Sequence, residues 1–106
     1  MASLHIQVAR CIDDTSYPAV VAVQFEDVEN IRHTIIEKVP VLGLSEDLRA
    51  HSRYPQPGTI DCEVVERFRD SMGRNRVRIS TAKPWGIEAV DGKTEFVVFE
   101  SQLADS

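Results

Sequence analysis

Apolar and polar positions alternate with a period of two along most of the chain, and helical periodicity is weak throughout. Leu4, Ile6 and Val8 alternate with His5, Gln7 and Ala9, which predicts a strand over residues 3–12. Pro18 opens a second strand that runs from Ala19 to Phe25, and its density of valine predicts cover on both faces. A turn at Asp27-Val28-Glu29 leads into a third strand over Ile31 to Leu42, whose odd positions Ile31, His33, Ile35, Val39 and Val41 make the more apolar face. Pairing Phe25 with Ile31 sets Val23 against His33 and Val21 against Ile35, and a slip of one residue would destroy that match.

Alternation breaks over residues 43–58, where Ser45 is placed to cap a short helical turn through Leu48 and Arg49. Tyr54-Pro55-Gln56-Pro57-Gly58 is extended or turn-like, since proline removes a donor and restricts the residue before it. Four further strands are expected over Thr59 to Arg69, Arg74 to Thr81, Trp85 to Val90 and Thr94 to Phe99. The last two are joined by Asp91-Gly92, a dipeptide that accepts positive φ. The expected fold is all-β: a small, mostly antiparallel barrel or sandwich of about six to seven strands, with one long loop carrying a short helical turn. Residues 1–106 are enough for one domain with its own core.

Register reasoning points to one surface. In the fourth strand Ile60, Cys62, Val64 and Phe68 form the apolar set, with Asp61, Glu63, Arg67 and Arg69 opposed. In the fifth, Val77 and Ile79 are apolar and Arg74, Arg76, Arg78 and Ser80 are opposed. Setting Phe68 against Val77 across the Asp70-Ser71-Met72-Gly73 turn places Arg67 opposite Arg78 and Arg69 opposite Arg76. Four or five guanidinium groups then share one solvent-facing surface. Read functionally, that surface recognises an anion, either an acidic protein or nucleic-acid phosphates, because guanidinium forks suit both. The competing reading is that Asp61, Glu63, Glu66 or Asp70, or Glu88 and Glu95 of neighbouring segments, neutralise the arginines, which then merely block edge pairing.

Trp85 and Tyr54, each beside a proline, are candidate aromatic anchors for the same partner, although a tryptophan filling one end of the barrel is the simpler assignment for Trp85. Seventeen acids against twelve bases give a net charge of −5, which favours a protein partner over nucleic acid. Nothing in the chain reads as a signal peptide or a membrane helix, and two cysteines, Cys11 and Cys62, read as reduced thiols of a cytoplasmic protein.

His5, His33, His51, Cys11 and Cys62 lack ligand-like spacing, so neither a metal nor another cofactor is expected. No phosphate-binding loop, dinucleotide fingerprint or nucleophile elbow occurs, and no catalytic residue is assigned. The expectation is a non-catalytic interaction module, adaptor-, inhibitor- or immunity-like, that meets a protein partner through Arg67, Arg69, Arg76 and Arg78 with Trp85 and Tyr54. It would be a monomer or a weak homodimer. The first alternative is a small barrel that binds single-stranded nucleic acid. The second is a small-ligand or enzyme role at a pocket near His33 and Cys62.

Overall fold

The computed structural model describes residues 2–15, 18–42, 53–83 and 86–104. Among them a curled antiparallel sheet forms a half-barrel: β1 Ala2–Asp13, β2 Val20–Glu26, β3 Arg32–Lys38, β4 Gln56–Arg69, β5 Asn75–Ser80, β6 Glu95–Phe99 and β7 Leu103–Ala104. The strand order is β3-β2-β1-β4-β5-β6, and β7 returns through a single 3-10 turn, Glu100–Gln102, to pair with β1. The all-β expectation therefore holds. The helical turn expected at Ser45 and the tryptophan Trp85 both lie outside the described residues.

Alternation in β1 buries Leu4, Ile6 and Val8 and leaves His5 and Gln7 outside, as a strand with one covered face requires. In β2, Val21, Ala22 and Val23 are buried in succession, so both faces are covered, as the valine run implies. These residues join Ile35, Ile60, Cys62, Val77, Ile79, Phe96 and Val98 in one core. Three expected boundaries change. β3 stops at Lys38 rather than Leu42, because Pro40 cannot donate to a ladder and the N–H groups of Val41 and Leu42 turn back onto the Lys38 carbonyl. β4 begins at Gln56, with Pro57 and Gly58 already paired to Gln7 and Ile6. Residues 86–90 are not a strand. Ile87 donates to the Thr81 carbonyl and Thr81 Oγ1 to the Ile87 carbonyl, which folds the segment into a loop that still buries Ile87 and Ala89. The short β7 makes up the seventh strand instead.

One chain reversal sets the pairing at both main hairpins. Asp27 N donates to Ile31 O, Asn30 N donates to Asp27 O, and Asp27 Oδ1 accepts from the N–H groups of Glu29 and Ile31. Asp70 repeats the pattern: its N donates to Arg74 O, Gly73 N donates to its carbonyl, and its Oδ1 accepts from Met72 and Arg74. The residue before the closing position is left-handed in each, Asn30 at φ 63° and Gly73 at φ 80°. This three-residue loop with a left-handed final residue pairs each aspartate with the residue four positions on. The observed partners continue from there, Phe25 with His33 and Phe68 with Arg76.

Neither expected register survives. Phe25 pairs with His33 rather than Ile31, a shift of two that keeps the same residues inward and leaves Ile31 exposed. At the second hairpin the shift is one, and a bulge between Val64 and Glu66 absorbs it.

The half-barrel is drawn together along a seam between the β2–β3 hairpin and β6. Val28 N donates to Val97 O at 3.0 Å, Gln102 Nε2 to Glu26 O at 2.8 Å and Val90 N to Thr34 O at 2.9 Å. Beneath it the Phe25, His33 and Phe96 rings meet at centroid distances of 4.7–5.4 Å. His33 Nε2 donates to Asp27 Oδ2 at 2.7 Å, so the aspartate that shapes the turn also holds a buried imidazole. Partial burial pushes the Asp27 carboxyl up, but the bonds from His33, Ile31 and Glu29 outweigh it and hold the group below its ordinary value.

A left-handed residue other than glycine costs about 1–2 kcal/mol. Gly73→Ala is therefore expected to lower the unfolding free energy in urea by about 1 kcal/mol, although a methyl group there meets no neighbour. Asn30→Gly should leave stability unchanged or slightly raised. A Gly73→Ala variant as stable as the parent would remove this turn as the determinant of register.

Candidate functional site

The bulge at Val65 redistributes the arginines. Pairing runs Glu66 with Arg78, Arg67 with Val77, Phe68 with Arg76 and Arg69 with Asn75. Directly paired residues of an antiparallel sheet share a face. Arg76 and Arg78 therefore lie with Glu66 and Phe68 on the outer face, while Arg67 and Arg69 lie on the side of buried Val77, at its rim. The expected pairs of Arg67 with Arg78 and Arg69 with Arg76 do not form, and the single arginine surface is split in two. The physical reason is the turn: Asp70 pairs with Arg74, so the strand must slip by one residue to keep Val64 beside Ile79.

Charge is also largely compensated. Arg74 Nε and Arg76 Nε both reach Asp70 Oδ2, at 3.2 and 2.9 Å. Arg67 Nε lies 3.3 Å from Glu100, and Arg78 lies 3.9 Å from Glu66. Glu66 and Asp70 thus act as the competing reading anticipated, with Glu100 joining them. Arg69 has no carboxylate partner among the described residues; its Nε donates to Asn75 Oδ1 at 3.4 Å. The pairs of Arg67 and Arg78 are about half exposed, and such pairs contribute about 0–1 kcal/mol. They are readily exchanged for another carboxylate.

What the sequence did not reveal is a row across three strands. Phe68 pairs with Arg76, and Arg76 pairs with Phe99, so an arginine lies between two phenylalanines on the outer face. The guanidinium carbons of Arg74 and Arg76 sit 5.0 and 5.8 Å from the Phe99 ring centroid, within cation–π range. Asp70 Oδ2 accepts from both cations. Alternation alone assigned Phe68 to the core; the signal that places it outside is the Asp70…Gly73 spacing, which fixes the register. Phe68 is 36% exposed, Val65 49% and Met72, at the turn, 77%. The hairpin thus carries exposed apolar side chains, ordered arginines and one uncompensated cation.

The other expected site residues lie elsewhere. Tyr54 packs against the core near the start of β4, whereas Arg69 ends that 14-residue strand, up to about 45 Å of extended chain away. The two are not brought together. Cys62 is fully buried, and desolvation, with Asp61 nearby, pushes its thiol up to about 11, which leaves it a neutral core side chain. Neither Cys62 nor His33 lines the open groove of about 700 Å³ between β1, the end of β2, the start of β4 and Gln102, whose walls are His5, Gln7, Gln24, Glu26 and Arg32. The Cys11 thiol donates to the Val20 carbonyl at 3.7 Å. Among the described residues no three His, Cys, Asp or Glu side chains gather in a metal-binding group, and no helix is long and apolar enough to cross a membrane. Comparison with protein-family models, with curated proteins and with solved structures finds no match.

The N–H of Arg74, followed by the Arg76 side chain and Met72 N–H, holds the Asp70 carboxyl down at about 2. Its depressed value means that the stability it lends is complete above the ordinary aspartate range and is lost as pH falls towards about 2. In Asp70→Asn that part of the acid sensitivity should vanish, so melting curves of parent and variant converge between pH 4 and pH 2. Curves that stay parallel over this window would remove Asp70 as the charged centre of the hairpin.

Proposed function

We propose that the protein is a non-catalytic interaction module of the cytoplasm that recognises a protein partner through the β4–β5 hairpin. The observation that carries this reading is the ordered row of Phe68, Arg76 and Phe99, with exposed Val65 and Met72 on the same hairpin and Arg69, which has no carboxylate partner among the described residues, on its opposite face. Aromatic and arginine side chains dominate the energetic centres of protein interfaces, because both bury large rigid area and arginine adds directional bonds. Arg76 is held by Asp70 and Phe99, so little side-chain freedom remains to be lost on binding. Arg67, Arg69, Arg76 and Arg78 stay in the proposed contact as two groups on opposite faces of the β4–β5 hairpin. Tyr54, packed against the core near the start of β4, is left out of it, and Trp85 lies outside the described residues.

A protein is favoured over single-stranded nucleic acid on two grounds. The chain is acidic overall, and Arg74 and Arg76 already lie against the Phe99 ring where a base would have to stack. The module acts as a monomer or weak homodimer, and the adaptor-, inhibitor- and immunity-like roles share this mode of contact.

Capture of partners from host lysate with tagged parent, Phe68→Ser and Arg69→Glu proteins tests the reading. A protein that survives nuclease treatment and is lost, by about tenfold or more, in both variants is the expected result. Loss on nuclease treatment would replace it with nucleic-acid binding. Equal recovery by all three proteins would remove the hairpin as the contact surface.

A further inference from the structure

The β4 strand has different neighbours along its length. β5 pairs with residues 63–69, and on the opposite edge β1 pairs only as far as Ala2 with Cys62. Beyond Cys62 no strand among the described residues runs along that edge, so the main-chain groups of Glu63 to Arg69 that point away from β5 meet no ladder. We propose that the edge from Glu66 to Arg69 accepts an extended acidic segment of a protein partner as an added strand. The proposal rests on the interaction-module reading above and specifies its mode and the chemistry of its partner.

Side-chain placement supplies the charge match. After the bulge Arg67 and Arg69 point to one face, about 7 Å apart along the strand, and Phe68 points to the other. An added strand therefore needs carboxylates at alternate positions on the arginine side and an apolar residue between them on the Phe68 side. Main-chain bonds to the edge would supply affinity and these alternate contacts selectivity, as in other strand-addition complexes. Arg69 is ready for a carboxylate, and Arg67 is restrained only by the half-exposed pair with Glu100 at 3.3 Å. Guanidinium and carboxylate can then meet through paired hydrogen bonds.

A second copy of this chain fits the edge poorly. Two-fold antiparallel pairing about Glu66 would set Glu66 against its own copy and Glu63 against Arg69. The bulge places Glu63 on the outer face with Ser80 and Arg69 on the inner one with Asn75, so that attraction cannot be realised. A bulge and flanking charges are devices that turn like edges away, and they still leave the edge open to an oppositely charged strand.

Amide hydrogen exchange, followed by NMR on the full chain, reads the outcome. The probe is a short blocked peptide that alternates Glu with Val, compared with one in which Lys replaces Glu. The Glu peptide at millimolar concentration is expected to slow exchange about tenfold or more at the amides of residues 63–69 that β5 leaves free. The Lys peptide should not, and Arg69→Glu should weaken the Glu peptide about tenfold. Unchanged protection at Val77 and Ile79 shows that this variant retains its fold. Absence of protection along 63–69, or equal protection by both peptides, overturns the proposal. If a captured partner depends on Phe68 and Arg69 yet leaves these amides exchanging as in the free protein, strand addition fails while the interaction-module reading stands. If capture depends on neither residue, both fall.

Discussion

A carboxylate at the start of a tight reversal governs most of what is distinctive in this fold. Asp27 and Asp70 each take two backbone N–H groups of their own loop, and the left-handed residues Asn30 and Gly73 close the reversal. Side-chain oxygen thereby replaces water for donors that the sheet cannot serve. The same aspartates then reach outward with their second oxygen, Asp27 to His33 and Asp70 to Arg74 and Arg76. Register and local electrostatics are therefore one device. A related reversal at Ala89 to Lys93, with Gly92 left-handed, uses Asp91 for part of the same work.

How far the sequence could be read follows from that device. Period-two patterning locates β1, β2, β5 and β6 and nearly all of the core, because burial of one face enforces alternation. It cannot fix loop length, and register depends on loop length. At the first hairpin the error of two residues is harmless, since the period is also two. At the second an error of one sends Phe68 outside and Arg67 and Arg69 to the opposite face from Arg76 and Arg78. The missing information was in the spacing of Asp27 to Asn30 and Asp70 to Gly73, a local signal that alternation ignores. Residues 86–90 misled for another reason: Ile87 and Ala89 alternate and are buried, yet Thr81 holds the Ile87 backbone and Ala89 N–H turns back to the Lys93 carbonyl, which makes the segment a loop. Burial with period two is necessary for such a strand and insufficient without a partner ladder.

The arginine cluster shows how composition and arrangement differ as evidence. Five arginines over residues 67–78 suggest a strongly basic surface, but Glu66, Asp70 and Glu100 answer four of them. What remains is modest in charge and specific in shape: phenylalanines on both sides of a fixed arginine, one free cation and an open strand edge. As the proposed contact surface it would discriminate by geometry more than by field strength.

The seam between the β2–β3 hairpin and β6 has a consequence for how the molecule assembles. Each hairpin closes through contacts only four residues apart, so β2 with β3 and β4 with β5 can each form without the other. Val28 and Val97, and likewise Phe25 and Phe96, meet only when segments from opposite ends of the chain come together. Closing so long a loop carries a larger entropic cost than the local reversals do. The half-barrel thus combines two locally determined hairpins, linked through β1, with one seam of long sequence separation. The Asp27–His33 pair, formed within the β2–β3 hairpin, presents the ring against which Phe96 of β6 packs.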